Sequence, residues 1–148
     1  MTYREQIKDL FTVPEHYYLA HCISADFAMG KGIAVEFNKQ FNTKQHLIRK
    51  YKSHLKDWVQ NNWTYNCILE DRVFNLITKQ LYWHKPTYQT LAGALTLMKD
   101  ICIEQDIHHI AMPVIGCGLD RLQWSSVSEI IKEIFRDTDI EIIICRQH

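Results

Sequence analysis

The sequence predicts an α/β fold in which helices cover both sides of a sheet. The later part of the chain alternates in the order strand, helix, strand, helix, strand, which is typical of layered α/β proteins. The strand-like segments are continuously apolar, which indicates that both faces of the sheet are covered. The chain has 148 residues and no Pro/Gly/Ser linker, so we expect one domain over 1–148.

The first half of the chain contains a strand, two helices and a weak hairpin. The run YYLAHCIS (17–24) is aromatic and apolar and predicts a buried strand. The apolar spacing in MGKGIAVEFNKQF predicts a helix that begins near Gly32 and is broken at Asn42-Thr43. Thr43 is a candidate cap for a second helix, KQHLIRKYKSHL. The apolar runs 65–69 and 73–78 predict a hairpin.

The second half is more regular. Pro86-Thr87 opens a long helix whose apolar residues recur at three- and four-residue spacing. The segment 107–114 predicts a buried strand, and the next helix is expected to begin near Ser125. The β-branched run 140–145 predicts a final strand.

Composition excludes several classes of protein. Lys plus Arg equals Asp plus Glu, so the net charge is zero, which argues against a protein held on nucleic acid by many phosphate contacts. It does not exclude one modified nucleotide in a pocket. The five cysteines include no C-x-x-C pair, so we expect free thiols and an intracellular location, in the cytoplasm or the nucleus. The histidines lack zinc-site spacing, and no apolar run approaches a membrane span of about 20 residues. We therefore expect no metal, no cofactor and no membrane partner.

Glycines are the most informative residues. Four of the five form two G-x-G pairs, Gly30/Gly32 and Gly116/Gly118, each between a strand-like and a helix-like segment. Glycine there lets backbone N–H groups approach a ligand, and a helix N-terminus attracts anions. Two such loops could bind two phosphates, although ordinary tight turns are the alternative. Neither a Walker loop nor a complete G-x-G-x-x-G is present.

The chain resembles the macrodomain superfamily, and within it the terminal ADP-ribose protein glycohydrolase class. The resemblance touches most of the chain and is weakest over 42–71. The matching segments are KDLF (8–11), LAHCIS (19–24), MGKGIAVEF (29–37), LITK (76–79), HKPTY (84–88), MPVIGCGLDRLQW (112–124) and DTDIEI near the C-terminus. The resemblance implies a three-layer α/β/α macrodomain with a mixed central sheet of about six strands and an ADP-ribose cleft at one end.

The same resemblance implies roles for individual residues. Asp9, next to Leu10, would accept the adenine amino group, although Lys8 stands where the family usually has glycine. Gln147 would flank the adenine. The remaining binding residues would line the ribose and diphosphate: Ser24, Gly30, Lys31, Gly32, Ile33, Ala34, Val114, Ile115, Gly116, Cys117, Gly118 and Leu119.

Two residues carry over as catalytic. Lys79, which closes LITK, matches the family's nucleophilic lysine, and Asp120, which closes IGCGLD, matches its acid/base. A tight ion pair would keep the amine charged, so we expect Asp120 to take the lysine proton as the reaction starts. Read without the resemblance, Lys79 is a solvated strand-end charge and Asp120 a helix cap.

The implied activity is removal of ADP-ribose from a modified protein or nucleic acid by a monomeric hydrolase. One alternative keeps the cleft and changes the bond, as a phosphatase on ADP-ribose 1″-phosphate or a deacetylase on acetylated ADP-ribose. Another is a non-catalytic ADP-ribose reader, which would need neither Lys79 nor Asp120. Tyr82 and Trp83 follow Lys79 and are candidates to shape the substrate entrance. His21, in an apolar strand, is expected to be a hydrogen-bonded core histidine.

Overall fold

The computed structural model describes residues 1–51, 65–118 and 120–147. The strands are β1 (Thr2–Ile7), β2 (Tyr18–Ser24), β3 (Asn66–Glu70), β4 (Val73–Lys79), β5 (His109–Met112) and β6 (Glu141–Arg146). The helices of these ranges are α1 (Ile33–Phe41), α2 (Thr43–Tyr51), α3 (Tyr88–Gln105) and α4 (Trp124–Phe135). The six strands form one sheet in the order β1-β6-β5-β2-β4-β3.

The sheet is mixed, as the resemblance implied. Every neighbouring pair is parallel except β3 and β4, which form the predicted antiparallel hairpin. The carboxyl ends of the five parallel strands therefore meet at one edge of the sheet. In open α/β sheets this is the edge at which ligands bind.

Helices cover both faces of the sheet, which confirms the predicted layers. In β6, Ile142 and Ile144 join the cluster that contains buried residues of α3 and α4. Their neighbours Ile143 and Cys145 join the opposite cluster, together with Phe37 of α1. This alternation follows from the two-residue period of a strand. Within the described ranges, no helix combines the length and the apolar character that a membrane span requires.

The loop between α1 and α2 differs from the prediction in one detail. Asn42 ends α1 in the left-handed conformation, as a breaker should. Thr43, however, is the first residue of α2, and its hydroxyl donates to the Phe37 carbonyl at 3.4 Å. This side chain therefore ties the two helices together, and the expected capping role is wrong. The C-terminal part of the predicted second helix, 52–55, lies outside the described residues.

The N-terminal strand β1 is the element for which the residue pattern gave no signal. It lies at the edge of the sheet, parallel to β6, and only two of its six residues are even partly shielded from solvent. An edge strand of this kind is polar, so it lacks the apolar run that marks the buried strands. The predicted strand 107–114 is shorter in the structure, because the chain leaves the sheet after Met112.

A bulge near the end of β4 sets the direction of Lys79. Up to Ile77 the strand pairs with β2 in regular register, but Ser24 then lies opposite Lys79 instead of Thr78. Directly paired residues share a face, so the extra residue moves Lys79 to the face of Ser24 and Cys22. The buried Thr78 hydroxyl finds no hydrogen-bond partner among the described residues, which is consistent with a locally disrupted ladder.

Candidate functional site

A cleft of about 1540 Å³ opens at the carboxyl edge of the parallel strands. The loops that follow β1, β2, β4, β5 and β6 line it. Nearly all of the predicted site residues lie on its wall: Asp9, Leu10, Ser24, Gly30, Lys31, Gly32, Ile33, Ala34, Lys79, Val114, Ile115, Gly116, Cys117, Gly118, Asp120 and Gln147. Leu119 lies outside the described residues. The fold thus brings residues from nearly the whole length of the chain, from Asp9 to Gln147, to one surface.

The first glycine pair lies at the start of a helix, as predicted. Gly32 has a φ of 63°, which L side chains rarely adopt, and α1 begins at the next residue. The first backbone N–H groups of a helix have no partner within it and carry a partial positive charge. The wall of the cleft at this point therefore favours an anion.

The second glycine pair lies in a turn rather than at a helix start. Gly116 has a φ of 73°, and its carbonyl accepts a hydrogen bond from the Leu122 N–H at 2.7 Å. Helix α4 begins later, at Trp124, with Gln123 as its capping position. The helix therefore begins close to the predicted Ser125, and the alternative that Asp120 is its cap is wrong.

Lys79 and Asp120 meet on the wall of the cleft. The Lys79 Nζ donates to the Asp120 Oδ1 at 2.7 Å, and the side chains are only 14% and 15% exposed. Lys79 is therefore not the solvated edge charge of the alternative interpretation. The contact is a direct ion pair, so Asp120 is a tight partner of the amine. Proton transfer along this hydrogen bond must precede any attack by nitrogen.

The thiols that line the cleft are poor nucleophiles. Burial raises the pKa of Cys22, and the Asp120 carboxylate raises it further, while Lys79 has the opposite effect. Burial also raises the pKa of Cys117 and of Cys145. Because the thiolate is the reactive form of cysteine, these side chains stay protonated and unreactive. The lysine beside Asp120 is therefore a better candidate nucleophile at this point of the wall than the thiols near it.

Asp26 is a residue of the site region that the sequence analysis missed. Its Oδ1 accepts from the Ser24 hydroxyl and from the Ala28 N–H at 3.1 Å, and its Oδ2 accepts from the Tyr82 N–H at 3.0 Å. The Ala25 N–H also donates to the Lys79 carbonyl at 2.9 Å. These bonds fasten the first glycine loop to the segment that follows Lys79. The S-x-D pattern at 24–26 is the one local signal of this turn.

Asp9 lies on the wall of the cleft and caps the N-terminus of the short 3-10 helix Leu10–Thr12. Its Oδ1 accepts from the Phe11 N–H at 2.9 Å, which holds the carboxylate in place. Gln147 follows β6 on the same cleft wall. The two residues predicted to contact adenine therefore line the cleft on the loops that follow β1 and β6, the two neighbouring strands at one edge of the sheet.

His21 is a core histidine, as predicted. It is fully buried, and its Nε2 lies 2.6 Å from the Asn75 Oδ1. Asn75 uses its amide nitrogen to donate to the Ile68 and Val73 carbonyls, so its oxygen accepts from the His21 N–H. Among the described residues, no group of three or more His, Cys, Asp or Glu side chains could hold a metal ion.

Two proteins of similar sequence show the family to which the chain belongs. The ADP-ribose glycohydrolase OARD1 of Homo sapiens is 44% identical over 137 residues, which cover 92% of this chain and 86% of the human protein. The protein of the same name from Bos taurus is equally similar. The chain belongs to this macrodomain family of ADP-ribose glycohydrolases. No general family profile matches it. An uncharacterized protein, 032R of Invertebrate iridescent virus 6, is 32% identical over 75 residues, about half of this chain.

Solved structures show the same macrodomain fold. The macrodomain of Thermus aquaticus DarG superposes with a TM-score of 0.79 at 20% identity, with 97% of each chain covered. The macrodomain of Mycobacterium tuberculosis DarG also gives 0.79, at 18% identity, and covers 99% of this chain and 98% of its own. Thermosipho africanus DarTG, solved in complex with ADP-ribose, gives 0.71 at 17% identity over 98% of this chain and 41% of its own. At these identities the likeness concerns the fold.

Proposed function

We propose that this chain is an ADP-ribosyl hydrolase, which binds ADP-ribose in the cleft and releases it from a modified macromolecule. The observation that carries the proposal is the 2.7 Å contact between Lys79 and Asp120 on the cleft wall. It supplies an amine nucleophile and a proton acceptor at one point of a site of nucleotide size. Membership of the ADP-ribose glycohydrolase family supports the same activity.

The diphosphate would lie between the two glycine loops. The N-terminus of α1 offers N–H groups and a favourable dipole on one side. The turn at Gly116 brings backbone to the cleft on the other side, without a Cβ. With the adenine near Asp9 and Gln147, the distal ribose would reach Lys79 and Asp120. Each part of ADP-ribose then meets a group of matching chemistry.

The chemistry follows from the ion pair. When the modified ribose enters, the Asp120 carboxylate takes the ammonium proton, and the neutral Lys79 nitrogen forms a bond to the anomeric carbon. The bond to the acceptor group breaks, and Asp120 returns its proton to the departing oxygen or nitrogen. The ring then opens to a Schiff base, which one water molecule hydrolyses to release ADP-ribose and restore the amine. A nearby carboxylate also stabilises the oxocarbenium-like charge during these steps.

A substrate panel tests the proposal. Wild type, Lys79→Ala and Asp120→Asn are each incubated with an ADP-ribosylated glutamate peptide, an ADP-ribosylated oligonucleotide, ADP-ribose 1″-phosphate and acetylated ADP-ribose. We expect the wild type to release ADP-ribose from a peptide or an oligonucleotide, and both variants to lose release while they still bind ADP-ribose. Lys39→Ala and Asp139→Asn are matched controls, since those side chains are 70% and 82% exposed.

The outcomes separate the candidate functions. Full activity of Lys79→Ala would show that the reaction does not pass through a covalent bond between Lys79 and the sugar. Turnover of ADP-ribose 1″-phosphate alone would show that the enzyme is a phosphatase, and turnover of acetylated ADP-ribose alone would show that it is a deacetylase. Tight ADP-ribose binding by the wild type without release from any of the four compounds would make the chain a reader.

A further inference from the structure

Asp120 lies in a tight turn between β5 and α4. The Leu122 N–H donates to the Gly116 carbonyl at 2.7 Å, and the Arg121 N–H donates to the Gly118 carbonyl at 3.2 Å. Asp120 lies within both of these hydrogen-bonded rings, so the turn sets the direction of its side chain. The position of the proposed acid/base is therefore a property of this turn and of whatever holds the turn in place.

The turn contains a strained residue, Arg121. Its φ is 64°, in the left-handed region, which side chains other than glycine adopt at a cost. Conformations of this kind persist where the surrounding structure imposes them, and they cluster at functional sites. We therefore looked for contacts that reach the turn from another element of the fold.

Tyr88, the first residue of α3, makes such a contact. Its hydroxyl oxygen accepts a hydrogen bond from the Gln123 N–H at 3.0 Å, at the point where the turn ends. The two residues are 35 positions apart in sequence, and Tyr88 does not itself line the cleft. Leu122 adds an apolar contact, since it packs against the core cluster that contains Leu91 of α3.

The start of α3 is a rigid point of the fold. Thr87 and Thr90 form a reciprocal capping box, in which each hydroxyl accepts from the backbone N–H of the other residue, at 3.1 Å and 3.0 Å. Leu91, in the first turn of the helix, is fully buried in the core. The Tyr88 side chain is thus anchored on a backbone that is fixed on both sides of it.

The Tyr88 hydrogen bond also connects the two halves of the ion pair. Lys79 ends β4, where its carbonyl accepts from the Ala25 N–H at 2.9 Å, and the segment that follows reaches α3 at Tyr88. The turn that carries Asp120 is tied to the far end of this same segment. The separation of the amine and the carboxylate therefore depends on this bond as well as on their direct contact.

We propose that Tyr88 is a positioning residue of the hydrolase, whose hydroxyl holds the turn so that the Asp120 carboxylate stays within hydrogen-bond distance of the Lys79 amine. This inference rests on the proposed function and adds to it a residue outside the cleft. No chemical step passes through Tyr88, because its hydroxyl acts on Asp120 only through the backbone. Loss of the hydroxyl should therefore slow the reaction and leave ADP-ribose binding largely intact.

Tyr88→Phe tests this inference with the aromatic ring retained. Steady-state release of ADP-ribose is measured on the modified peptide or oligonucleotide that the wild type turns over. We expect kcat to fall by about tenfold or more, as a small misplacement of a reacting group does, with KM and the affinity for ADP-ribose nearly unchanged. Tyr65→Phe is the matched control, because Tyr65 is exposed to a similar extent, 40% against 37%, and lies outside the cleft. It should keep the wild-type kcat.

A double-mutant cycle assigns the effect to one hydrogen bond. Gln123→Pro removes the N–H donor at a residue whose φ of −83° is close to the value that proline imposes. We expect Gln123→Pro to lower kcat by a similar factor, and Tyr88→Phe to have little further effect in that background. Losses that multiply in the double variant would show that Tyr88 acts through another contact, and would overturn the inference. Unchanged kcat in Tyr88→Phe, or parallel losses of kcat, affinity and melting temperature, would do the same.

A structural measurement keeps the inference separate from the proposed function and does not require Gln123→Pro to fold. In a crystal structure of Tyr88→Phe, we expect the distance from the Lys79 Nζ to the Asp120 Oδ1, 2.7 Å in the wild type, to exceed the hydrogen-bond range of about 3.5 Å. If the wild type releases ADP-ribose from no substrate, the proposed function fails, and this distance still decides whether Tyr88 positions Asp120. If the wild type is active while Tyr88→Phe keeps both the short distance and full kcat, the function stands and the inference is wrong.

Discussion

The carboxylate of Asp26 accepts a hydrogen bond from the backbone N–H of Tyr82, 56 residues away in sequence, at 3.0 Å. Through its other oxygen, the same carboxylate holds Ser24 and Ala28 on the first glycine loop. This side chain, which does not itself line the cleft, therefore joins two of its walls, in addition to the backbone bonds from Ala25 to Lys79 and from Asp26 to Gln80. The loop expected to bind phosphate and the segment that follows Lys79 are therefore held together.

Asp26→Asn should reduce turnover more than binding. An amide has one acceptor oxygen in place of two, and its NH₂ group would face an N–H donor, so at least one of the three bonds is lost. We expect kcat for ADP-ribose release to fall by about 10- to 100-fold, the usual cost of a small misplacement of a reacting group. Affinity for ADP-ribose should change much less, because the glycine loops remain.

Steady-state kinetics with calorimetric binding of ADP-ribose checks this division. Asp71→Asn is the matched control, because Asp71 is exposed and its φ of 59° is tolerated by asparagine. If Asp26→Glu, which keeps both oxygens, restores part of kcat, the carboxylate positions the active site. Parallel losses of kcat, affinity and melting temperature would point to folding alone.

Lys79→Arg should keep the ion pair and abolish the reaction. A guanidinium pairs well with the Asp120 carboxylate, but it stays protonated at any pH that proteins tolerate, so it cannot attack the sugar. We expect nearly unchanged stability, preserved ADP-ribose binding and no release. Borohydride added during turnover should attach ADP-ribose to the wild type by reducing the Schiff base, and mass spectrometry should locate it on Lys79. Labelling of Lys79→Arg to the same extent would place the covalent step elsewhere.

Much of this fold was predictable because its core elements are strongly apolar. The buried strands and the helices α1, α3 and α4 carry periodic or continuous apolar patterns, and each was found close to its predicted position. β1 was not, because an edge strand buries too little surface to require such a pattern. The three-layer macrodomain class itself needed both the alternation of elements and the family resemblance.

The candidate site was only partly predictable, for a geometric reason. The glycine pairs mark where backbone approaches a ligand, and that information is local. The direction of Lys79 depends on a one-residue bulge opposite Ser24, and LITK gives no local sign of it. The Lys79–Asp120 contact spans 41 residues, and it came from the resemblance rather than from spacing. Asp26 was missed because its bond to the Tyr82 N–H, which connects it to the segment after Lys79, spans 56 residues of sequence.

Gly116→Ala and Gly118→Ala should have different effects on stability. Gly116 has a φ of 73°, and an added Cβ would lie 3.1 Å from the Leu122 Cδ1. Forcing an L side chain into this conformation costs about 1–2 kcal/mol, so we expect Gly116→Ala to lower the free energy of unfolding by at least that amount. A Cβ added at Gly118 would have no atom within 4 Å, so the Gly118→Ala variant should be as stable as the wild type. Urea unfolding measures the difference, and equal stability of the two variants would contradict it.

His21 should make the protein less stable in acid. Burial lowers the pKa of His21 to about 4, against the smaller opposing effect of its hydrogen bond to Asn75. In the unfolded chain the pKa is about 6.5, so between these values the unfolded state binds a proton that the folded state does not. The contribution of neutral His21 to stability is therefore present above about pH 6.5 and is lost progressively as the pH falls toward 4. At pH 5 the loss is about 2 kcal/mol. Urea unfolding at pH 7.5 and 5.0 should show that His21→Gln loses less stability over this interval than the wild type.

His108→Gln is the control with the opposite sign. Hydrogen bonds to Asp106 and Asp139 raise the pKa of that exposed imidazole, so its contribution to stability is present in acid and fades as the pH rises. An identical acid loss in wild type and His21→Gln would show that another group is responsible.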